Sequence, residues 1–401
     1  MKRSTDRILT THAGSLPRLD DLTAAHAAVE AGEQAEVATV LTDAVGETVR
    51  LQREIGISVP GDGELGKASS SPIDYGAWWS YCFQRLGGLE LREGYGWITR
   101  DVQSSPGDVR TTGFGHRRDR ARFEQAYDDP TSGIFAGGAP KPYPTAVAPV
   151  TYTGQDAIAA DIRNLKAALD AHGYTEGFLT SIAPGSVVRI DNDFYGTDEE
   201  FVWACADAMR EEYRAIIDAG LILQIDDPSL AENWDQITPE PSVADYQAFS
   251  RVRVEALNHA LRGLPEDRIR YHLCWGSWHG PHTTDLPMKD IVGLMLEVNA
   301  GAYSFEAGNV RHEHEWKVWQ DVTLPEGKVI LPGVVSHATN VVEHPELVAD
   351  RIERFAGLVG RENVIASTDC GLGGRIHPQI AWAKLRTLAE GAELATRRLW
   401  A

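Results

Sequence analysis

The chain has 401 residues, 43% of them hydrophobic, and a formal net charge of −20. That length can bury a large core, as one big domain or two ordinary ones. The acidic balance argues against nucleic acid and against an anionic membrane surface, both of which demand a basic face.

Met1–Arg7 leads into strand-like residues without the apolar core of a signal peptide, and no run is apolar enough to span a bilayer. A cytoplasmic protein is expected, and the four cysteines (Cys82, Cys205, Cys274, Cys370) are expected to be reduced thiols, two of them metal-bound. The first strand-like segment, Ile8–His12, breaks at Ala13-Gly14-Ser15-Leu16-Pro17. That loop is either a plain turn or a place where backbone amides and the Ser15 hydroxyl meet a ligand. A helical pattern follows over about Gln34–Ile55, stopped by Gly56. Next comes Ile57-Ser58-Val59-Pro60-Gly61-Asp62-Gly63-Glu64, a strand ending in a glycine-flanked acid pair.

Residues 66–146 are less regular, with an aromatic cluster (Tyr75, Trp78, Trp79, Tyr81) and a basic run, Arg110 to Arg122. The run reads as a salt-bridged surface or as an anion-binding patch, with Asp119, Glu124 and Asp128 near enough to neutralise it. The loop Gly137–Pro142 reads as an excursion, not a linker.

From Thr145 onward strands and amphipathic helices alternate. Strands are predicted at Thr145–Tyr152, Phe178–Ile182, Leu221–Ile225, Arg270–Cys274, Ala302–Phe305, Val329–Val335 and Val364–Ser367. Helices are predicted at Gln155–His172, Asp198–Ala219, Val243–Leu261, Met288–Val298, Pro345–Leu358 and Gln379–Glu393. The pattern implies a parallel sheet with helical crossovers. Counting the two early strands gives nine candidates, one more than an α/β barrel needs, so one of the first two is assigned to an N-terminal extension. No composition break marks a second domain. Residues 1–401 read as a single α/β-barrel catalytic domain, with 1–56 an N-terminal strand and helix and 66–146 an irregular insertion.

Polar residues gather at the strand ends: Glu64, Asp226 with Asp227, His272 with Cys274, Glu306, His337 and Cys370. In a barrel these ends share the face that carries the active site. A single charged strand end needs no explanation beyond reaching solvent, but six offering Cys, His, Glu and Asp are better explained by a shared site. On a strand, His272 and Cys274 point the same way, as a metal pair would, although a buried Cys beside an ordinary His gives the same pattern. Cys370 makes a natural third ligand and Glu306 a fourth, with His312, Glu313, His314 and Glu315 as competitors expected to form a solvated helix face. Two thiolates and a carboxylate around zinc (Zn2+) leave it electron-rich, better suited to holding a substrate thiol as a reactive thiolate than to activating water.

The ordered set Thr10-Thr11-His12-Ala13-Gly14-Ser15-Leu16-Pro17, Gly61-Asp62-Gly63-Glu64-Leu65-Gly66, Gln224-Ile225-Asp226-Asp227-Pro228, His272-Leu273-Cys274, Phe305-Glu306 and Thr368-Asp369-Cys370-Gly371-Leu372 covers nearly the whole chain. It resembles the catalytic C-terminal half of cobalamin-independent methionine synthase and its single-domain relatives, among them epoxyalkane:coenzyme M transferase. The resemblance implies a (β/α)8 TIM barrel of the uroporphyrinogen decarboxylase/methionine synthase type, with zinc held by His272, Cys274, Glu306 and Cys370. It also implies that Ser15, Glu64 and Asp226 hold the amino-acid end of a thiol such as homocysteine. The family's proton-donating histidine corresponds to His337, one residue out of step, with Asp226 and a water as the other candidate. Two departures stand out: a longer spacing from Cys274 to Glu306, with Trp275–His282 inserted, and no counterpart of the synthase half that helps accommodate the folate donor.

The expected reaction is alkyl transfer to a thiol. Methylation of homocysteine by a methylated pterin (methylfolate) is the first choice, with Trp275, Trp278 and Trp79 either walling the donor pocket or packing the core. The alternatives are epoxide opening by a small thiol, with Arg117, Arg118, Arg120 or Arg122 gripping an anionic group; a zinc-free decarboxylase; and a zinc-storage module, which leaves Glu64 and Asp226 unexplained. Sequence leaves the oligomeric state unknown.

Overall fold

The structure, a computed structural model, describes residues 1–68, 77–92, 100–134 and 143–401. Tyr75 and the Gly137–Pro142 loop lie outside these residues, as do the side chains of Trp78 and Trp79. The described residues form ten strands: β1 Leu9–Thr10, β2 Leu86–Arg92, β3 Tyr143–Tyr152, β4 Phe178–Ile182, β5 Asp191–Asn192, β6 Ile222–Asp227, β7 Ile269–Leu273, β8 Ala302–Phe305, β9 Val329–Val335 and β10 Ile365–Thr368.

Seven of them pair in the order β1-β10-β9-β8-β7-β6-β4, every pair parallel. Their residues are almost wholly buried, polar ones such as Ser181, Arg270 and Ser367 included, because helices cover one face and the packed barrel interior the other. The gap between β1 and β4 is closed by residues 57–61. Ser58 N and Val59 N donate to Thr10 O (2.9 and 3.0 Å), and Phe178 N donates to Pro60 O (3.0 Å), with Gly61 bridging Phe178 in parallel. The result is a closed ring of eight staves. Arg270 fills its interior, bonded to Gln224 Oε1 (2.7 Å), Thr11 Oγ1 (2.9 Å) and His12 O (2.7 Å), its guanidinium 3.4 Å from the Phe178 ring centroid.

The barrel is as expected, but both early strands belong to it. The surplus strand is β3, which pairs antiparallel with β2 and parallel with β5 in a separate three-stranded sheet. Its burial is the physical sign: β3 exposes Pro149 and Thr151 while burying Val150 and Tyr152, as a half-solvated strand does, whereas the staves are covered on both sides. Glu212, on the helix Asp198–Asp218, ties this sheet to the barrel by accepting from Ser181 Oγ (2.8 Å), Arg85 Nη1 (3.2 Å) and the Tyr81 and Tyr152 hydroxyls.

The outer helices start where local chemistry allows. Thr197 accepts from Glu200 N (3.1 Å) and Ser242 from Asp245 N (3.0 Å), each satisfying a free amide of the first turn. The helix Val37–Ile55 ends at Gly56, whose φ of 98° suits a residue without Cβ. A further helix, Asp20–Glu30, was not predicted, and Met288–Val298 divides into a 3-10 turn, Met288–Asp290, and a short helix, Val292–Glu297. No helix among the described residues is long and apolar enough to cross a membrane.

Candidate metal centre and acceptor site

Ser15, Glu64, Asp226, His272, Cys274, Glu306, His337 and Cys370 all stand at or just beyond the C-terminal ends of the staves, at one mouth of the barrel. Asp226, His272 and Ser304 share one layer, because Asp226 pairs with His272 across β6–β7 and His272 with Ser304 across β7–β8. His272 Nδ1 lies 3.2 Å from Ser304 Oγ, which fixes the ring and leaves Nε2 buried with no hydrogen-bond partner. A buried imidazole nitrogen left this way is costly unless something else binds it.

That something is indicated by its neighbours. The His272 nitrogen and the Cys274 and Cys370 sulfurs all lie within 4.8 Å of one another, and the two sulfurs are 3.8 Å apart. Gly276 N donates to Cys274 Sγ (3.3 Å), a contact that favours a thiolate. Thiols this close share a proton: the hydrogen bond from Cys274, with His272 beside it, holds Cys370 well below the usual thiol range, while Cys274 is pushed above it. One nitrogen and two sulfurs converging on a small volume fit zinc, which takes tetrahedral N and S ligands.

Glu306 stands one step aside. It groups with His337 and Asp369, whose ligand atoms also lie within 4.8 Å of one another. Its Oε1 accepts from Trp275 N (3.0 Å) and its Oε2 from Asn309 Nδ2 (2.8 Å). Asn309 Nδ2 also reaches Asp369 Oδ2 (3.0 Å), and Asp369 Oδ1 accepts from Ala307 N and Gly308 N, both at 2.7 Å. Burial pushes the Glu306 carboxyl up to about 8 and the His337 imidazole down to about 3. His337 Nδ1 is buried without a hydrogen-bond partner.

In the competing run, expected to form a solvated face, His312 and Glu315 are buried, while Glu313 is half-buried and His314 exposed. His312 has both ring nitrogens engaged, Nε2 at 3.1 Å from Asp285 Oδ2 and Nδ1 at 3.4 Å from Glu315 Oε2. Burial opposes its charge, but the two acids outweigh it and raise His312 to about 10. His282 Nδ1 meets the same Asp285 oxygen at 2.9 Å. Glu313 instead pairs with Arg351. This cluster braces the inserted segment: His312 stacks on Trp275 (4.2 Å between centroids), and Trp275 Nε1 donates to Leu286 O (2.8 Å). Trp278 Nε1 donates to Tyr127 OH (2.9 Å), with the Arg117 guanidinium 3.5 Å from its ring centroid.

The basic run is salt-bridged. Arg117 is fully buried and pairs with Asp235 (2.6 Å) and Glu232 (3.5 Å); Arg120 pairs with Asp128 (2.6 Å), Arg118 with Glu240 and Arg110 with Asp108. Asp119 is used differently, accepting from the inserted segment at His282 N (3.2 Å) and Thr283 N (2.9 Å).

Next to the metal group lies a second set of charges. Ser15 O accepts from Leu372 N (2.8 Å) and Gly373 N (2.9 Å), and Leu16 N donates to Gly63 O (3.0 Å). These bonds clip the loop after β1 between the Cys370 turn and the Glu64 turn. The approach is close enough that a Cβ on Gly371 would sit 2.2 Å from Ser15 Oγ, and one on Gly14 would sit 2.5 Å from Glu64 Oε1. Gly63 and Glu64 both have positive φ (72° and 59°). For glutamate this is strained backbone, kept by Asp62 Oδ1 accepting from Glu64 N (2.8 Å). The turn brings Lys67 back, so that its Nζ lies 2.8 Å from Glu64 Oε2. Asp226, pushed up to about 6 by burial and then by Glu64, faces Lys67 and His272. Lys67 escaped the sequence reading; its signal was a basic residue three positions after Glu64.

The family model described as "Cobalamin-independent synthase, Catalytic domain" matches residues 143–394, and the chain belongs to this family. Among curated proteins it is 23% identical over 209 residues to a methionine synthase of Thermococcus kodakarensis, covering 52% of this chain and 54% of the relative. It is 25% identical over 244 residues to a 2-hydroxypropyl-CoM lyase of Xanthobacter autotrophicus, covering 53% and 60%. The chain thus spans little more than half the length of these relatives. Among solved structures, a B12-independent methionine synthase of Shewanella sp. W3-18-1 superposes with a TM-score of 0.69 at 19% identity, covering 98% of this chain and 99% of that one. That likeness establishes the fold.

Proposed function

We propose that the chain is, over its whole length, one catalytic barrel domain of a zinc-dependent S-alkyltransferase, and that methyl transfer to homocysteine, giving methionine, is its reaction. The observation that carries this reading is the convergence of the His272 nitrogen with the Cys274 and Cys370 sulfurs beside Ser15, Glu64 and Asp226. His272, Cys274 and Cys370 would hold zinc, with Glu306, one step aside, as the fourth ligand and the one whose place the acceptor would take. Bound there, zinc supplies a Lewis acid that favours the acceptor's thiolate over its thiol, whose free pKa is about 8.5.

The protein's own groups do the rest. Ser304 orients His272, and Gly276 N supports the Cys274 sulfur. Ser15, Glu64 and Asp226 hold the acceptor's polar end so that its sulfur points at the thiolate pair. His337, which burial keeps neutral, would relay a proton to the leaving group of the donor, taking one up as it gives one, with Asp226 and a water as the other candidate. The inserted segment 275–282, braced by Asp119 and by Trp278 under Arg117, excludes water from the Cys274 side.

A second reading, opening of an epoxide or similar electrophile by a small thiol, is favoured by the likeness to the 2-hydroxypropyl-CoM lyase. The test is metal analysis of protein purified without chelators, followed by a screen pairing homocysteine and other thiols with methylfolates, methylcobalamin and epoxides. Near-stoichiometric zinc and a methylated homocysteine product are expected. Less than about half an equivalent of zinc would remove the mechanism and favour a zinc-free decarboxylase.

A further inference from the structure

Lys67 has no part in the reaction outlined above, yet it sits inside the acceptor site. Its side chain and that of Glu64 are only 7% and 10% exposed, and Nζ lies 2.8 Å from Glu64 Oε2. The Tyr81 ring centroid is 4.9 Å from the ammonium, and Arg18 Nη2 donates to the Lys67 carbonyl (3.0 Å). A lysine buried so fully is expensive unless its charge is matched. Asp226 is close enough to influence it as well, so the site presents a cation flanked by two carboxylates.

This arrangement limits what can bind. With Glu64 Oε2 engaged by Lys67, the pair Glu64–Asp226 is no longer wholly available to a ligand's ammonium. A thiol carrying only a sulfonate would meet Lys67 but lie against two carboxylates. A thiol carrying an α-amino acid end brings both signs at short spacing: its ammonium meets Asp226 and its carboxylate meets Lys67, so every ion has an opposite neighbour. An ammonium carries three N–H donors, so a cation engaged by Glu64 can still bind an anion. We propose that Lys67 is a specificity-determining residue that binds the carboxylate of a zwitterionic acceptor such as the homocysteine proposed above. The inference rests on the acceptor site of the proposed function and deepens it.

The test compares homocysteine with 3-aminopropane-1-thiol, the same chain without the carboxylate, on the full-length metal-loaded enzyme. Binding is measured by calorimetry and turnover with whichever donor the screen identifies. Wild-type protein should bind homocysteine at least roughly 30-fold more tightly than the aminothiol, as loss of a charged hydrogen bond requires. Lys67→Met should raise Kd and KM for homocysteine by a similar factor, keep kcat within about threefold, and leave the aminothiol bound at least as tightly, since Glu64 is then free for its ammonium. Lys67→Arg should recover most of the loss.

Equal weakening of both thiols by Lys67→Met overturns the proposal, because Lys67 then only aligns Glu64; so does weakening of neither. Should Lys67→Met fail to fold, the wild-type comparison decides alone, since equal affinity for the two thiols also overturns it. Wild-type protein that binds neither thiol defeats the acceptor assigned under the proposed function, and the zwitterion with it. Failure in the variant alone leaves that assignment standing.

Discussion

Two buried clusters at the mouth of the barrel contain histidines, and they are built on opposite rules. In the first, His272 keeps one ring nitrogen without a partner and turns it toward two sulfurs 3.8 Å apart. In the second, His312 spends both nitrogens on Asp285 and Glu315, and His282 spends its own on Asp285 and the Trp278 carbonyl. An imidazolium inside an ion-pair network needs every N–H satisfied, whereas a metal-ligating imidazole must present a lone pair. The run His312-Glu313-His314-Glu315 resembles a metal motif on paper, but the engaged nitrogens of His312 make that residue a brace, and His314 is exposed.

The contrast can be broken most forcefully at Cys370. Cys370→Ser should lose the bound metal and thiol alkylation together, with the fold intact by circular dichroism; full activity in this variant would take Cys370 out of the site. Asp285→Asn attacks the other cluster. It leaves two imidazoles without their anion and should destabilise the chain by about 3–5 kcal/mol in denaturant unfolding, with zinc content per folded chain unchanged. If metal fell in proportion to stability, the two clusters would not be separate devices.

Ser304→Ala sharpens the comparison, since it removes only the group that orients His272. A loss of roughly tenfold in metal affinity by chelator competition is expected, with little change in melting temperature. The smallest effect concerns Asp62, which is buried and pushed up to about 7 by burial first and then by Asp161. Its folded-state pKa lies above the ordinary 3.8, so the folded chain holds this proton longer and loses stability as pH rises from about 4 to 7. Asp62→Asn, which can still accept from Glu64 N, should raise stability at pH 8, by no more than the roughly 4 kcal/mol that the full shift allows, and leave it unchanged at pH 4. An equal gain at both pH values would mean that packing, not ionisation, is responsible.

The sequence showed much of this face because strand-end chemistry is local. His272 and Cys274 share a direction through the two-residue period of a strand, and Cys370 follows a strand in the same way. Glu306 was visible as a strand-end acid. Its position beside His337 and Asp369 was not, because that depends on the Trp275 amide and on Asn309, contributed by separate loops. Lys67 was missed because its approach to Glu64 requires two successive left-handed residues, a conformation not expected of glutamate. The side sheet was misread for another reason: periodicity reports that β3 is a strand and says nothing about its partners. Asp20–Glu30 escaped notice because Leu19, at its start, offers no side-chain cap.

The seam of the barrel has a consequence for how the molecule is made. Leu9 and Thr10 pair with Ile365 and Ala366, and the Ser15 carbonyl is held by Leu372 and Gly373. At about 5–20 residues per second of synthesis, the first stave waits on the order of tens of seconds for its neighbour. Until then the nascent chain carries Cys274 without Cys370, and Ser15 without the turn that clips it. Every stave must be on hand before the mouth takes shape, so a chain stalled on the ribosome can have part of the ligand set but not the site. The proposed capture of an ion by both sulfurs must therefore wait until the Cys370 turn has been made and seated against Ser15.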